Sequence, residues 1–115
     1  MIIDLKKVKI FLCPGYTDMR KQIDSLSVIA SEKVKENIFR QNIFLFCSRN
    51  RKHLKILYWD RNGFCLWWKR LEIDKFPWPK NKQEATLVSY NELKMMLDGI
   101  DFFNIYKKLD YKKVS

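Results

Sequence analysis

The stretch SRNRKHLKILYWDRNGFCLWWKRLE, residues 48–72, contains two apolar runs joined by a turn sequence. Asn62-Gly63 between two such runs is a strong signal for a β-hairpin. The run IFLFCS at 43–48 comes just before them, and its short length with aromatic and β-branched residues is typical of a buried strand. Residues 43–72 are therefore predicted to form a three-stranded antiparallel meander.

The N-terminal part predicts one strand followed by one helix. KVKIFLC at 7–13 alternates and then runs apolar, which predicts a strand, and Pro14-Gly15 should end it. Thr17 or Asp18 is expected to cap the helix, which should end between residues 32 and 37. Its apolar stripe follows helical spacing and consists of Met19, Ile23, Leu26 and Ala30.

The part that follows the hairpin predicts a return segment, a short strand and a second helix. FPWP at 76–79 should leave the sheet because proline cannot donate to a central ladder. Residues 85–89 are expected to form a short strand. Ser89 with Glu92 matches the capping box that opens a helix, and the predicted buried stripe of this helix is Leu93, Met96, Leu97 and Ile100.

These elements predict an α+β fold, an antiparallel β-meander or sheet with two main helices packed on it. The 115 residues are 47% hydrophobic and 15% aromatic, which is typical of a folded chain with a real core. Residues 1–106 are predicted to form a single domain, and residues 107–115 a flexible basic C-terminal tail.

Several classes of protein do not fit the sequence. No apolar run approaches the roughly 20 residues of a membrane span, and Lys6, Lys7 and Lys9 interrupt the N-terminal apolar positions. We therefore expect a cytoplasmic protein without membrane contact. Glycine-rich phosphate loops are absent from the sequence, so neither a cofactor nor a small-molecule substrate is expected.

Catalytic and metal-binding patterns are weak. The three cysteines are widely spaced and the single histidine is His53, so buried reduced thiols are expected and no metal site. The spacing of the carboxylates does not require a catalytic pair, because Asp18 is explained as a helix-start residue and Asp60 as a turn residue. We expect a protein that is not an enzyme and has no catalytic residues.

The positive charge is concentrated in the middle of the chain. Of the formal net charge of +10, residues 48–83 contribute +7 from ten basic and three acidic side chains, whereas residues 84–115 are neutral. Such a concentration favours a polyanionic partner through steering and counterion release.

The hairpin register decides which cations share a face. A two-residue loop at Asn62-Gly63 places Lys55 opposite Arg70, whereas a three-residue loop places it opposite Lys69. Either register sets Lys55 against a second cation, and like charges placed directly opposite are unfavourable. The same face carries Trp59 and a second Trp in either register. The other face carries Leu54, Ile56 and Tyr58 and is the better candidate for the core.

The basic and aromatic face has two interpretations. Its cations hold phosphates while an indole stacks on an unpaired base, or the Lys and Arg stems cover Trp rings while their charges stay in water. On the first interpretation, which we favour, the predicted nucleic-acid-binding residues are Lys55, Lys69 and Arg70, with Trp59 packing or stacking, Arg49, Arg51, Lys52 and Arg61 in adjoining loops, and Arg20 and Lys21 on the first helix.

Four motifs occur in an order that resembles the TnpB-type accessory proteins of the insertion-sequence sixty-six family of bacterial transposable elements. They are GYTDMRKQIDSL (15–26), LKILYWDRNGFCLWWKRLE (54–72), FPWP (76–79) and LVSYNELKMMLDGID (87–101). The positions that match the helix-opening and hairpin motifs of the family are Asp18, Met19, Arg20, Lys55, Trp59, Asp60, Gly63, Lys69, Arg70 and Leu71. The chain departs from the family pattern at Gln22 and at 73–75.

The resemblance implies a small protein that is encoded beside a separate transposase and is needed for efficient transposition. The leading hypothesis is a non-enzymatic accessory protein that binds DNA through the basic, aromatic hairpin. The alternative is an interaction module that docks the transposase or another accessory protein through the aromatic anchors Trp67, Trp68, Phe76 and Trp78.

Overall fold

The computed structural model describes residues 7–34, 37–38, 40, 42–80 and 85–98. Within them the chain forms β1 (Lys9–Leu12), α1 (Ile23–Lys33), β2 (Asn42–Cys47), β3 (His53–Asp60), β4 (Gly63–Arg70), β5 (Thr86–Val88) and α2 (Tyr90–Leu97). None of the helices in these residues is long and apolar enough to cross a membrane.

The strands form one sheet in the order β4-β3-β2-β1-β5. β2, β3 and β4 pair antiparallel in sequence order, which confirms the predicted meander. β1 pairs parallel to β2 because α1 connects them as a crossover, whereas β5 pairs antiparallel to β1. The α+β class is confirmed, with the difference that the sheet is mixed and mostly antiparallel.

Each face of the sheet has its own apolar cluster. α1 covers one face, where Leu26 and Ala30 pack with Phe44 and Phe46 of β2. α2 covers the other face, where Leu93 and Met96 pack with alternate residues of β1, β2 and β3. Successive strand residues point to opposite faces, so β2, which is central and buried throughout, serves both clusters.

α1 begins later than the sequence predicted. Its N-cap is Gln22, whose side chain makes no capping hydrogen bond. Asp18 instead accepts from the backbone N–H of Arg20 at 2.9 Å and from its guanidinium group. Met19 therefore lies before the helix rather than in its buried stripe, and the prediction that Thr17 or Asp18 caps the helix is wrong.

The FPWP segment leaves the sheet as predicted and then covers the α2 face. Phe76 is fully buried, and the indole N–H of Trp78 donates to the Cys13 carbonyl at 3.1 Å. Gly15, with φ 81°, turns the chain after β1, and its N–H donates to the Pro79 carbonyl at 2.9 Å. Burial removes Phe76 and Trp78 from the surface, so they are not the interface anchors that the docking alternative requires.

The second helix opens as predicted. The Ser89 hydroxyl accepts from the Glu92 N–H at 3.1 Å, and the Glu92 carboxylate accepts from the Ser89 N–H at 2.8 Å, which completes the capping box. The predicted end of α2 beyond residue 98, the domain boundary at 106 and the tail at 107–115 lie outside the described residues.

Candidate nucleic-acid interface

The hairpin turns one residue earlier than the sequence predicted. Asp60 pairs with Gly63, so Arg61 and Asn62 form the two-residue loop, with Arg61 in the left-handed region at φ 50°. Both predicted registers are therefore wrong. Lys55 lies opposite Trp68, not opposite another cation.

The faces of the hairpin nevertheless follow the predicted two-residue-loop register. The observed register differs from it by two residues, and a two-residue slip leaves every side chain on the same face. Leu54, Ile56 and Tyr58 face the α2 cluster, which confirms them as the core side of β3. On the α1 side, Leu57 lies opposite Leu66, and both join the α1 cluster.

Lys55 is buried and holds the segment that precedes α1. Its side chain is 1% exposed, and its Nζ donates to the carbonyl oxygens of Met19 and Lys21, both at 2.9 Å. The same Nζ lies 5.0 Å from the ring centroid of Trp68. Burial lowers the pKa of Lys55 below its usual value. The ammonium group is occupied by backbone carbonyls, so Lys55 has a structural role here rather than the predicted phosphate contact.

Lys69 has a similar arrangement on the opposite face. Its Nζ donates to the Leu97 carbonyl at 2.8 Å, at the C-terminal end of α2. A cation is favourable there because the last carbonyls of a helix carry partial negative charge. Lys55 and Lys69 therefore each tie a covering segment to the hairpin, one on each face of the sheet.

Trp59 and Arg61 lie at the turn end of the hairpin. Trp59 is half-buried and meets Phe64 edge to face, with ring centroids 5.0 Å apart. The eight residues of β3 separate this turn from His53 by roughly 23 Å. The sequence predicted that Arg61 extends the basic patch of the loop at 49–52, but Arg61 lies at the other end of the hairpin.

At the other end of the hairpin, His53 and Trp68 form a fixed pair. The Trp68 indole N–H donates to His53 Nδ1 at 2.9 Å, and the ring centroids are 5.5 Å apart. Nδ1 can accept only when it carries no proton, so this contact requires the neutral imidazole with its proton on Nε2. Trp68 is still 55% exposed.

An open groove of about 800 Å³ lies beside this pair. It is bounded by residues 16–19 before α1, residues 48–50 after β2, and His53. The second of these segments is fixed by its own side chains, because the Ser48 hydroxyl donates to Asn50 Oδ1 at 2.7 Å and accepts from the His53 N–H at 3.1 Å.

Arg49 lines this groove, and five more cations with exposed or half-exposed side chains lie on the chain segments that adjoin it, Arg70 by its pairing with His53. We call this part of the molecule the basic end. The six cations are Arg20, Lys21, Arg49, Arg51, Lys52 and Arg70. The loop 49–52 adjoins the end of β4, since the Lys52 carbonyl accepts from the Leu71 N–H at 2.7 Å. Two of the cations are paired with carboxylates at the surface, Arg20 with Asp18 and Arg70 with Glu72.

The side-chain hydrogen bond from Arg20 lowers the pKa of Asp18 from 3.8 to about 2. The contribution of Asp18 to stability is therefore fully present above pH 3.8 and is lost as the pH falls through 2.

Among the described residues, Lys21, Arg49 and Lys52 form no salt bridge with a carboxylate.

The cysteines lie apart from this surface. Cys13 and Cys47 are buried free thiols, and burial raises the pKa of each to about 12, which makes them poor nucleophiles. Cys65 is a half-buried free thiol on β4. Within the described part of the chain, no group of three or more His, Cys, Asp or Glu side chains is arranged to hold a metal ion.

Comparison with known proteins places the chain in a family. The model of the IS66 Orf2-like proteins matches residues 8–107. The chain belongs to the IS66 Orf2-like family. It is therefore an insertion-sequence-associated accessory protein, as the motifs predicted.

Two proteins similar to the chain come from one organism, Sinorhizobium fredii (strain NBRC 101917 / NGR234). The chain is 35% identical to the uncharacterized protein y4hO over 97 residues, which are 84% of each protein. It is 26% identical to the uncharacterized protein y4jC over 108 residues, 94% of this chain and 92% of the relative. No solved structure matches the chain.

The structure gives a physical role to several residues of this IS66 Orf2-like chain that match the family's hairpin motif. Lys55 and Lys69 hold covering segments, and Arg70 ends β4 at the basic end. Sequence reasoning did not connect Tyr16 or Ser48 with a site, and it named Trp68 as an interface anchor of the docking alternative rather than as a nucleic-acid-binding residue. The residues GYTD that open the first motif were the available signal for Tyr16, but they were interpreted only as a helix start.

Substitution of Lys55 by Met tests its structural role. The variant leaves the Met19 and Lys21 carbonyls without their donor, and we expect a loss of about 2 kcal/mol in the free energy of unfolding, measured by urea denaturation. Lys52→Met is the matched control, and its half-exposed side chain predicts a change within about 0.5 kcal/mol. Equal stability of Lys55→Met and the unmodified protein would contradict the role.

Substitution of Arg20 by Gln tests the pairing with Asp18. We expect the pKa of Asp18 to return from about 2 towards 3.8, since the guanidinium hydrogen bonds are the main cause of the shift. Carbon-detected NMR titration of the Asp18 carboxyl group measures this directly. An Asp18 pKa that stays near 2 in Arg20→Gln would show that another group lowers it.

Proposed function

We propose that this accessory protein is not an enzyme and that it assists transposition by binding DNA through the basic end. The observation that carries the proposal is that Arg49 lines the groove while five further cations lie on the segments adjoining it, at one end of the β3–β4 hairpin. Phosphate contacts supply most of the affinity of non-specific DNA binding, and they come from Arg and Lys side chains of this kind.

The proposed contacts differ from the set expected from sequence. Arg49, Arg51, Lys52 and Arg70, with Arg20 and Lys21 on the facing segment, would approach phosphates. Lys55 and Lys69 would act indirectly, because each holds in place a segment that covers the sheet. Trp59 and Arg61 would stand outside the contact, at the turn end of the hairpin.

The alternative partner is the element-encoded transposase or another accessory protein. One observation favours it, since β4 is an edge strand of the described sheet and carries the exposed side chains of Trp67 and Trp68. Unpaired strand edges and exposed aromatic residues both serve as protein docking surfaces. Co-purification with the transposase that survives nuclease and high salt would favour this alternative over direct DNA binding.

Charge reversal at two arginines tests the DNA proposal. Arg49→Glu should weaken binding to a short DNA by roughly tenfold and reduce the slope of log affinity against log salt by about 1. Arg61→Glu changes the net charge by the same amount at the turn end, where the Arg61 side chain is 85% exposed, and should leave the slope unchanged. Fluorescence anisotropy over a salt series measures both effects.

Two results would count against the proposal. If the unmodified protein binds no DNA at low salt, the function is wrong. If Arg49→Glu and Arg61→Glu weaken binding equally, net charge rather than the basic end is responsible for the affinity.

A further inference from the structure

We infer that Trp68 and the adjoining groove receive an unpaired nucleobase, so that the basic end prefers single-stranded over duplex DNA. The inference rests on the proposed DNA-binding function and adds to it the form of nucleic acid that is bound. It assigns base stacking to Trp68 rather than to Trp59, which packs against Phe64 at the turn end.

The Trp68 ring is held in one orientation before any ligand arrives. Its N–H is bonded to His53 Nδ1 at 2.9 Å, and the Lys55 ammonium lies 5.0 Å from its centroid. More than half of the side chain nevertheless remains exposed, at 55%. A ring fixed in this way loses little conformational freedom on binding, which favours its use as a stacking platform.

The groove supplies contacts for the rest of a nucleotide. His53 belongs both to the indole contact and to the groove lining, so the two features are continuous. Because His53 Nδ1 accepts from the indole, its Nε2–H is a donor. Asn50, whose Oδ1 already accepts from Ser48 and from the Lys52 N–H, adds its amide nitrogen, and the exposed Arg49 adds a cation for phosphate. A volume of about 800 Å³ lies within the usual range of small-ligand sites.

These features favour an unpaired base over a duplex. In a duplex the ring faces of the bases are stacked on one another and their Watson–Crick edges are paired, so neither is available to an aromatic side chain. In a single strand both are accessible, and the phosphates can follow the cations of the basic end while one base stacks on Trp68.

Trp67 provides a matched control. It is adjacent to Trp68 on β4 and is 40% exposed, but it lies on the opposite face, across from Ile56. Replacing either residue by Leu removes an indole of similar exposure from the same strand. Of these two indoles, the one that donates to the histidine lining the groove is that of Trp68.

The experiment measures the affinity of the full chain and its variants for three probes of equal length at one salt concentration. The probes are oligothymidylate, a mixed-sequence duplex, and a single strand whose residues are abasic. We expect the unmodified protein to bind oligothymidylate most tightly. Trp68→Leu should weaken that binding roughly tenfold or more and leave the duplex and abasic affinities unchanged. Trp67→Leu should change none of the three.

Trp68→Phe separates stacking from folding, because it keeps an aromatic ring while losing the bond to His53. Retention of most of the oligothymidylate affinity in this variant supports stacking, and a loss as large as in Trp68→Leu overturns it. Equal losses of Trp68→Leu for all three probes also overturn the inference. If the unmodified protein binds the abasic strand as tightly as oligothymidylate, the inference fails while DNA binding stands, whereas no binding to any probe overturns both.

Discussion

The arrangement of this molecule depends on the hydrogen bonds that the buried ammonium group of Lys55 donates to backbone carbonyls. Lys55 lies on β3, is 1% exposed, and donates to two carbonyls of the segment before α1. An uncompensated charge at this depth would be strongly unfavourable, so the carbonyls and the Trp68 ring must stay in place around it. This requirement fixes one wall of the groove and the position of the indole beside it.

The same requirement explains why the first helix begins at Ile23. The carbonyls of Met19 and Lys21 accept from Lys55, and a helix continuing through these residues would have used them for its own hydrogen bonds. Asp18 does not cap the helix and forms a salt bridge with Arg20 instead. One lysine therefore accounts for a local structure that the helical pattern of the sequence does not predict.

Local signals in the sequence predicted much of the fold. The capping box at Ser89, the buried run of β2 and the departure of the FPWP segment each depend on residues near one another in the chain, and the structure confirms all three. The parallel pairing of β1 with β2 depends on how the crossover packs, which periodicity does not report.

The predictions of the hairpin register and of the lysine contacts were wrong, because both depend on more than the local sequence pattern. Asn62-Gly63 is a good turn sequence, but the pairing of Asp60 with Gly63 places Leu57 opposite Leu66 in the α1 cluster. The observed register and the predicted two-residue-loop register place the same side chains on each face, so the hydrophobic pattern does not distinguish between them. Lys55 and Lys69 were taken for surface cations because no pattern in the sequence shows that backbone carbonyls from distant segments will meet them.

The cations of the hairpin therefore fall into three groups with different consequences. Two are used inside the fold, one stands at the turn, and the remainder lie with the loop 49–52 at the basic end. A motif rich in Lys, Arg and Trp thus combines residues that build the sheet with residues available to a partner. The family motif positions Lys55 and Lys69 are explained by folding, without any contact to DNA.

An NMR titration of the nitrogen-15-labelled protein with oligothymidylate tests the central claim most directly, because it reports every described segment at once. We expect the resonances of the Trp68 indole N–H and of the amides in residues 16–21 and 48–53 to shift, and those of residues 60–63 to stay unchanged. Shifts centred on the turn at 60–63, with the Trp68 indole unchanged, would contradict it.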